Sequence, residues 1–150
     1  MSLSDHLKKQ HQCMSSLLEL LDDERRALAT GRVDGQRLND LAESKQQRFD
    51  ELERLESQRR QALQRLGYDN SRQGSDRAAR DAGCRDSWQD FCDTAERVRR
   101  LNQLNGSVIQ NRLSHNQRLL NFLHEAADNG VYGADGQARR QGLGRVASQA

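Results

Sequence analysis

LKKQHQCMSSLLELLDDERRAL, residues 7–28, is the stretch on which the fold turns. Leu7, Met14, Leu21 and Leu28 fall seven apart, and Leu17 with the preceding Leu3 fills the alternate positions of the same seam. This is nearly a coiled-coil heptad, and its 3–4 spacing follows the α-helical repeat rather than the period of two that a strand would need. The segment therefore reads as an amphipathic helix with one buried face.

The same spacing recurs twice. A second stripe is Leu38, Leu41, Phe49, Leu52, Leu55, Leu63 and Leu66. A third runs from Trp88, Phe91, Ala95 and Val98 to Ile109, Leu113, Leu120, Leu123 and Ala127. The chain has no proline, so nothing forces a break in these long stretches.

The turn residues between the stripes set the order of the elements. The first helix is expected from about Ser4 to Thr30, capped by Ser4 or Asp5 and ended by Gly31. Residues 31–35 make a short turn with Asp34 as the next N-cap, and so short a connection forces antiparallel neighbours. Residues 3–66 then form a helical hairpin with arms of roughly 40–50 Å. Gly67 to Ser75 is expected as a mobile loop, and residues 76–83 as a weak helical turn or two. A third, longer helix should run from Asp86 to Asn129 and stop at Gly130. Asn105-Gly106 lies inside it, where two poor helix formers mark a bend or a close helix approach. The fold class is all-α: an elongated antiparallel bundle of three long helices, with room for a short extra helix before the third. Residues 1–136 make one helical domain, and the small, polar residues 137–150 a disordered tail.

Composition narrows the function. Charged residues make up 31% of the chain and hydrophobic ones 34%, with a mean hydropathy of -1.02. Each helix thus buries one stripe and solvates the rest. The net charge of +2 is not a nucleic-acid signature, because residues 34–66 hold seven acids and seven bases and residues 76–129 eight of each. No apolar run reaches transmembrane length, and no apolar segment follows the N-terminus as in a secretion signal. Cys13, Cys84 and Cys92 are odd in number with no CxxC spacing, which fits free thiols in a reduced cytoplasm.

Chemistry is sparse. His6 and His11 are five apart and His115 and His124 nine apart, so neither pair sets two ligands on one helix face, and no metal or cofactor is expected. The acids Asp22, Asp23 and Glu24 lie at a solvated helix end. No nucleophile elbow, phosphate loop or dinucleotide fingerprint is present, and the expectation is a protein that is not an enzyme.

The end of the third helix is richer. Leu119, Leu120, Phe122, Leu123, Ala126 and Ala127 span an arc of about 160°, whereas one seam needs only about 100°. Either this helix packs between two others, or its second edge, Leu119, Phe122 and Ala126 with Val108 further up, is a surface for a partner's amphipathic helix. On either reading Ile109, Leu113, Leu120 and Leu123 continue the core seam, so a charge at Leu123 should chiefly destabilise, whereas one at Phe122 should chiefly weaken partner binding if the second edge is a partner surface. Tyr132, after Gly130, either folds back as a helix cap or meets a partner.

At these residues the chain resembles the FlgN family of flagellar export chaperones, which hold the hook-associated (hook–filament junction) proteins before type III export. The resemblance covers most of residues 3–136. It rests on Glu24-Arg25-Arg26-Ala27-Leu28, on Lys45 with the leucines after it, on Asn105-Gly106 with Ile109, and on Tyr132-Gly133-Ala134-Asp135-Gly136. It implies a cytoplasmic, all-helical chaperone that binds the C-terminal helical segments of its clients. The client face would lie at about Val108 to Ala127, with Tyr132 docking on the export gate. Partners are then hook-associated proteins and the export gate, with no strong nucleic-acid binding and no membrane insertion; the oligomeric state is open. The competing class is a structural coiled-coil adaptor that self-associates through its seams. Gln10, Glu24, Arg59, Asn105 and Asn116 at seam positions weigh against it.

Overall fold

The computed structural model describes the backbone of residues 1–131 and the side chains of residues 1–128. These residues form four helices and no strand: α1 (Leu3–Ala29), α2 (Gly35–Arg65), α3 (Arg72–Asp81) and α4 (Arg85–Val131). The class is all-α as expected, but there are four helices rather than three, the short extra one being α3. The expected tail, residues 137–150, lies outside the described residues.

The caps explain where the helices begin and end. Ser2, not Ser4 or Asp5, caps α1: its hydroxyl accepts from the Asp5 backbone N–H at 3.1 Å. The Asp5 carboxylate accepts the Ser2 N–H in return, also at 3.1 Å, which closes a capping box. Asp34 caps α2 as the sequence suggests. After α2, Gly67 takes φ +85, and the Tyr68 N–H reaches back to the Leu63 carbonyl at 3.0 Å, a Schellman closure that favours glycine. The expected mobile loop is thus only a few residues long, since Ser71 caps α3 and residues 72–75 are already helical. Gly74 is required there, because a Cβ would collide with the Asp69 backbone. The sequence placed the end of the last helix at Gly130; α4 instead runs through it to Val131.

The chain divides into two compact units, residues 1–106 and 107–150, so the boundary falls directly after Gly106 within α4. In the first unit, contacts fix the helix directions. Glu24 meets Lys45, Cys13 meets Arg48 and Gln10 meets Glu56, so α1 and α2 are antiparallel. His11 meets Thr94 and Leu21 meets Asn105, so α4 runs parallel to α1. The core forms where these faces meet. Cys13, Leu17, Leu21, Leu52, Leu55 and Val98 make one cluster, and Leu7, Ala79, Cys84, Trp88 and Phe91 a second. Leu7, Leu17 and Leu21 are at most 1% exposed, and full burial of each is worth about 1.5–3 kcal/mol.

Polar residues interrupt the seam at two levels and are linked there by hydrogen bonds. At one, the Asn105 amide donates to the Leu21 carbonyl and to Glu24 Oε1, both at 2.9 Å, and Lys45 Nζ lies 2.9 Å from Glu24 Oε2. A Cβ on the neighbouring Gly106 would meet nothing within 4 Å, so close helix approach does not explain that pair of residues. Asn105 serves instead as a buried hydrogen-bonding pin. At the other level the Arg59 guanidinium grips Glu56 through two bonds of 2.9 and 2.8 Å, and Gln10 donates to the same carboxylate at 2.8 Å.

Candidate functional site

The three cysteines are the intrinsically nucleophilic thiols of the chain. The thiols of Cys13, Cys84 and Cys92 are all pushed up by burial, away from the thiolate form that reacts. No group of three or more His, Cys, Asp or Glu side chains among the described residues is arranged to hold a metal ion. No described helix is long and apolar enough to cross a membrane. Within residues 1–106 there is an open cavity of about 690 Å³ over Met14, Leu52, Trp88 and Phe91. Phe49, expected in the second core stripe, stands at its rim and is 37% exposed.

The unusual surface belongs to the second half of α4. Val108, Leu113, Leu119, Leu120, Phe122 and Leu123 are between 38% and 57% exposed. Leaving six such side chains about half in water forgoes roughly 5–9 kcal/mol of burial. At 100° per residue they lie along one side of the helix over more than four turns, which is the form of a contiguous patch rather than scattered apolar residues.

Of the residues singled out in the sequence, Val108, Leu119 and Phe122 are exposed on this face, whereas Ala126 is buried. Tyr132 lies outside the described residues. The division into an inner seam and an outer edge does not hold: Leu113, Leu120 and Leu123, assigned to the core, are as open as Leu119, and Ile109 is half-buried.

Charge on this segment is one-sided. From Glu96 to Glu125 the sequence has no acidic residue between, so the ionisable groups of residues 107–124 are Arg112, His115, Arg118 and His124. Arg118 falls about 40° beyond Phe122, and His124 about 20° beyond Leu113 on the opposite margin. Arg112 and His115 point within the apolar arc. A count over residues 76–129 balances to zero and hides this run; a count confined to the apolar patch would have found it.

Residues 1–140 match the sequence model of the family described as FlgN protein. The Flagella synthesis protein FlgN of Salmonella typhimurium is 30% identical over 135 residues, covering 90% of this chain and 89% of that protein. Its namesake in Proteus mirabilis is 28% identical over 127 residues, 85% of this chain and 83% of that one. The Escherichia coli (strain K12) protein of the same name is 26% identical over 135 residues, with 90% and 88% covered. No solved structure matches the chain significantly.

Proposed function

The chain belongs to the FlgN family and has a role in flagellar assembly, and on that premise we propose that it is a cytoplasmic export chaperone for hook-associated proteins. The half-exposed apolar face of α4 supports this reading most directly. Val108, Leu119 and Phe122, together with Leu120 and Leu123, receive the C-terminal helical segment of a client; Ala126 is already buried and adds little area. Covering the apolar stripe of such a segment keeps it from aggregating. Ordering the segment consumes about 2–5 kcal/mol of gross binding energy, which keeps affinity moderate and release for export possible.

The face also distinguishes partner contact from core packing. Phe122→Asp and Leu123→Asp should each weaken binding of a hook-associated C-terminal fragment by about tenfold or more. Because both side chains are substantially exposed, the melting temperature should stay within about 2 °C of the parent. Leu17→Asp, in the fully buried seam, should instead prevent stable folding. Calorimetry beside thermal melts reads all three, and a large melting loss in Leu123→Asp would return that residue to the core.

Docking on the export gate is assigned to Tyr132, a ring between Val131 and Gly133. Tyrosine offers a large apolar area and a hydroxyl at low entropic cost. Tyr132→Ala should reduce export and gate pull-down several-fold while client affinity and melting temperature stay unchanged. Unchanged gate binding would remove Tyr132 from the site.

The alternative is self-association of the same face in a structural adaptor. Sedimentation of the free chain decides it, since a stable dimer without client is what that reading requires.

A further inference from the structure

We infer that the exposed face of α4 selects an acidic amphipathic helix, one whose apolar stripe is bordered by Asp and Glu. The inference rests on the partner-binding reading above and specifies the chemistry of the partner. Its basis is the coincidence, on one stretch of helix, of the open apolar residues Leu119, Phe122 and Leu123 with a run free of acids from Arg97 to His124.

Several other arginines of the described residues pair with an acid one turn away on the same helix. Arg99 and Arg100 both pair with Glu96, Arg60 with Glu56, and Arg25 with Asp22. Arg118 has no acidic residue within four positions on either side, so its own helix cannot supply the one-turn pair found at those sites. It is exposed on the margin next to Phe122, and His124 is exposed on the other margin. A helix laid along the apolar stripe therefore passes the Arg118 guanidinium on one border and the His124 imidazole on the other. Acids flanking its own stripe meet opposite charge, while basic flanks meet like charge, which sets preference and register more than raw affinity.

The same pattern decides between occupants. A second copy of this face offers Arg118 no acid between residues 97 and 124, so charge does not favour self-pairing. Single-stranded RNA would need a denser basic track: two arginines over five turns give little phosphate neutralisation, and the half-exposed leucines would gain nothing from it.

Three synthetic peptides test this on the full chain. They share one Leu/Phe stripe at helical spacing and differ only in flanking residues, which are Glu, Gln or Lys. At low ionic strength the Glu peptide should bind about tenfold tighter than the Gln peptide, and the Lys peptide weaker than both. The preference should shrink to within about twofold near 0.5 M salt. Arg118→Glu, an exposed change, should abolish the preference for Glu while leaving Gln-peptide affinity within about threefold. Equal binding of all three peptides would overturn charge selection and leave the partner-binding reading standing. Binding of a hook-associated C-terminal fragment with no binding of the Glu peptide would overturn the acidic assignment. Failure of the fragment and all peptides together would defeat the partner-binding reading itself. Displacement of the Glu peptide by a single-stranded RNA homopolymer would assign the basic borders to nucleic acid instead.

Discussion

Ending the chain after Gly106 should leave a folded protein that no longer binds hook-associated C-terminal segments. Every residue of both core clusters lies between Leu3 and Leu101, and Asn105, which pins α4 to Leu21 and Glu24, is retained. The removed residues include the six open apolar side chains of α4 and the basic margins beside them. Helicity should fall only by the excised part of α4, and the melting transition should stay cooperative and within a few degrees of the parent. Client binding should fall by about a hundredfold or more, because all six of these apolar anchors are removed together. A cut after Leu104 removes Asn105 and leaves Glu24 and Lys45 without their third partner. It should therefore melt lower than the cut after Gly106. Ending the chain after Gly136 should keep binding. Full affinity in the 1–106 chain would move the client site to residues 1–106, where the cavity between Phe49 and Trp88 would be the next candidate.

The sequence was most legible where periodicity and packing say the same thing. Leu7, Leu17, Leu21 and Leu28 keep their seam because α2 and α4 both face α1 along it, and all four are buried. It was less legible wherever the partner of a residue lay far along the chain. Gln10, Glu24, Arg59 and Asn105 could be read as interruptions of a coiled coil, but their partners Glu56, Lys45, Ser75 and Leu21 are set by tertiary contact rather than spacing. Ser2, Ser4 and Asp5 all suit the N-cap of α1, and only the reciprocal bond with Asp5 selects Ser2. The face of α4 failed for a related reason. Amphipathic spacing declares that Leu113, Leu120 and Leu123 share a side with Ile109; it says nothing about whether another element covers that side. What the sequence did identify was an apolar arc too wide for one seam, and that excess width is where the exposed residues Val108, Leu119 and Phe122 are found.

Arg59→Ala should lower stability more than any other single change at a charged residue. The Arg59 side chain is 6% exposed, and it is shared among the helices of the first unit. Its two bonds to Glu56 stay within α2, its third donates to Ser75 Oγ of α3 at 3.1 Å, and its guanidinium lies 4.7 Å from the Trp88 ring of α4. Glu56 carries the network to α1 through Gln10, and the Trp88 indole N–H donates to Asp76 at 2.6 Å. Removing one member of a buried pair typically costs about 3–5 kcal/mol because the other charge is left without compensation. Glu56 is 30% exposed, so water recovers part of this, and about 2–3 kcal/mol is the expected loss. That corresponds to a fall in melting temperature of roughly 5–10 °C for a chain of this size. Arg59→Lys should recover only part of it, since an ammonium can neither fork onto the carboxylate nor stack flat on the indole. Acid gives an independent reading of the same contact. Burial pushes the Glu56 carboxyl up, but the hydrogen bonds and charge of Arg59, with bonds from Gln10 and Arg60, outweigh it and hold the group below its ordinary 4.5. A carboxyl depressed on folding contributes stability that is fully present above its unfolded value and is lost as pH falls through the folded one. The urea midpoint of the parent should therefore drop as pH goes from about 4.5 downward, and Glu56→Gln should show a shallower drop over that window. Identical midpoints for Arg59→Ala and the parent at neutral pH would mean the network orders these side chains without stabilising the fold.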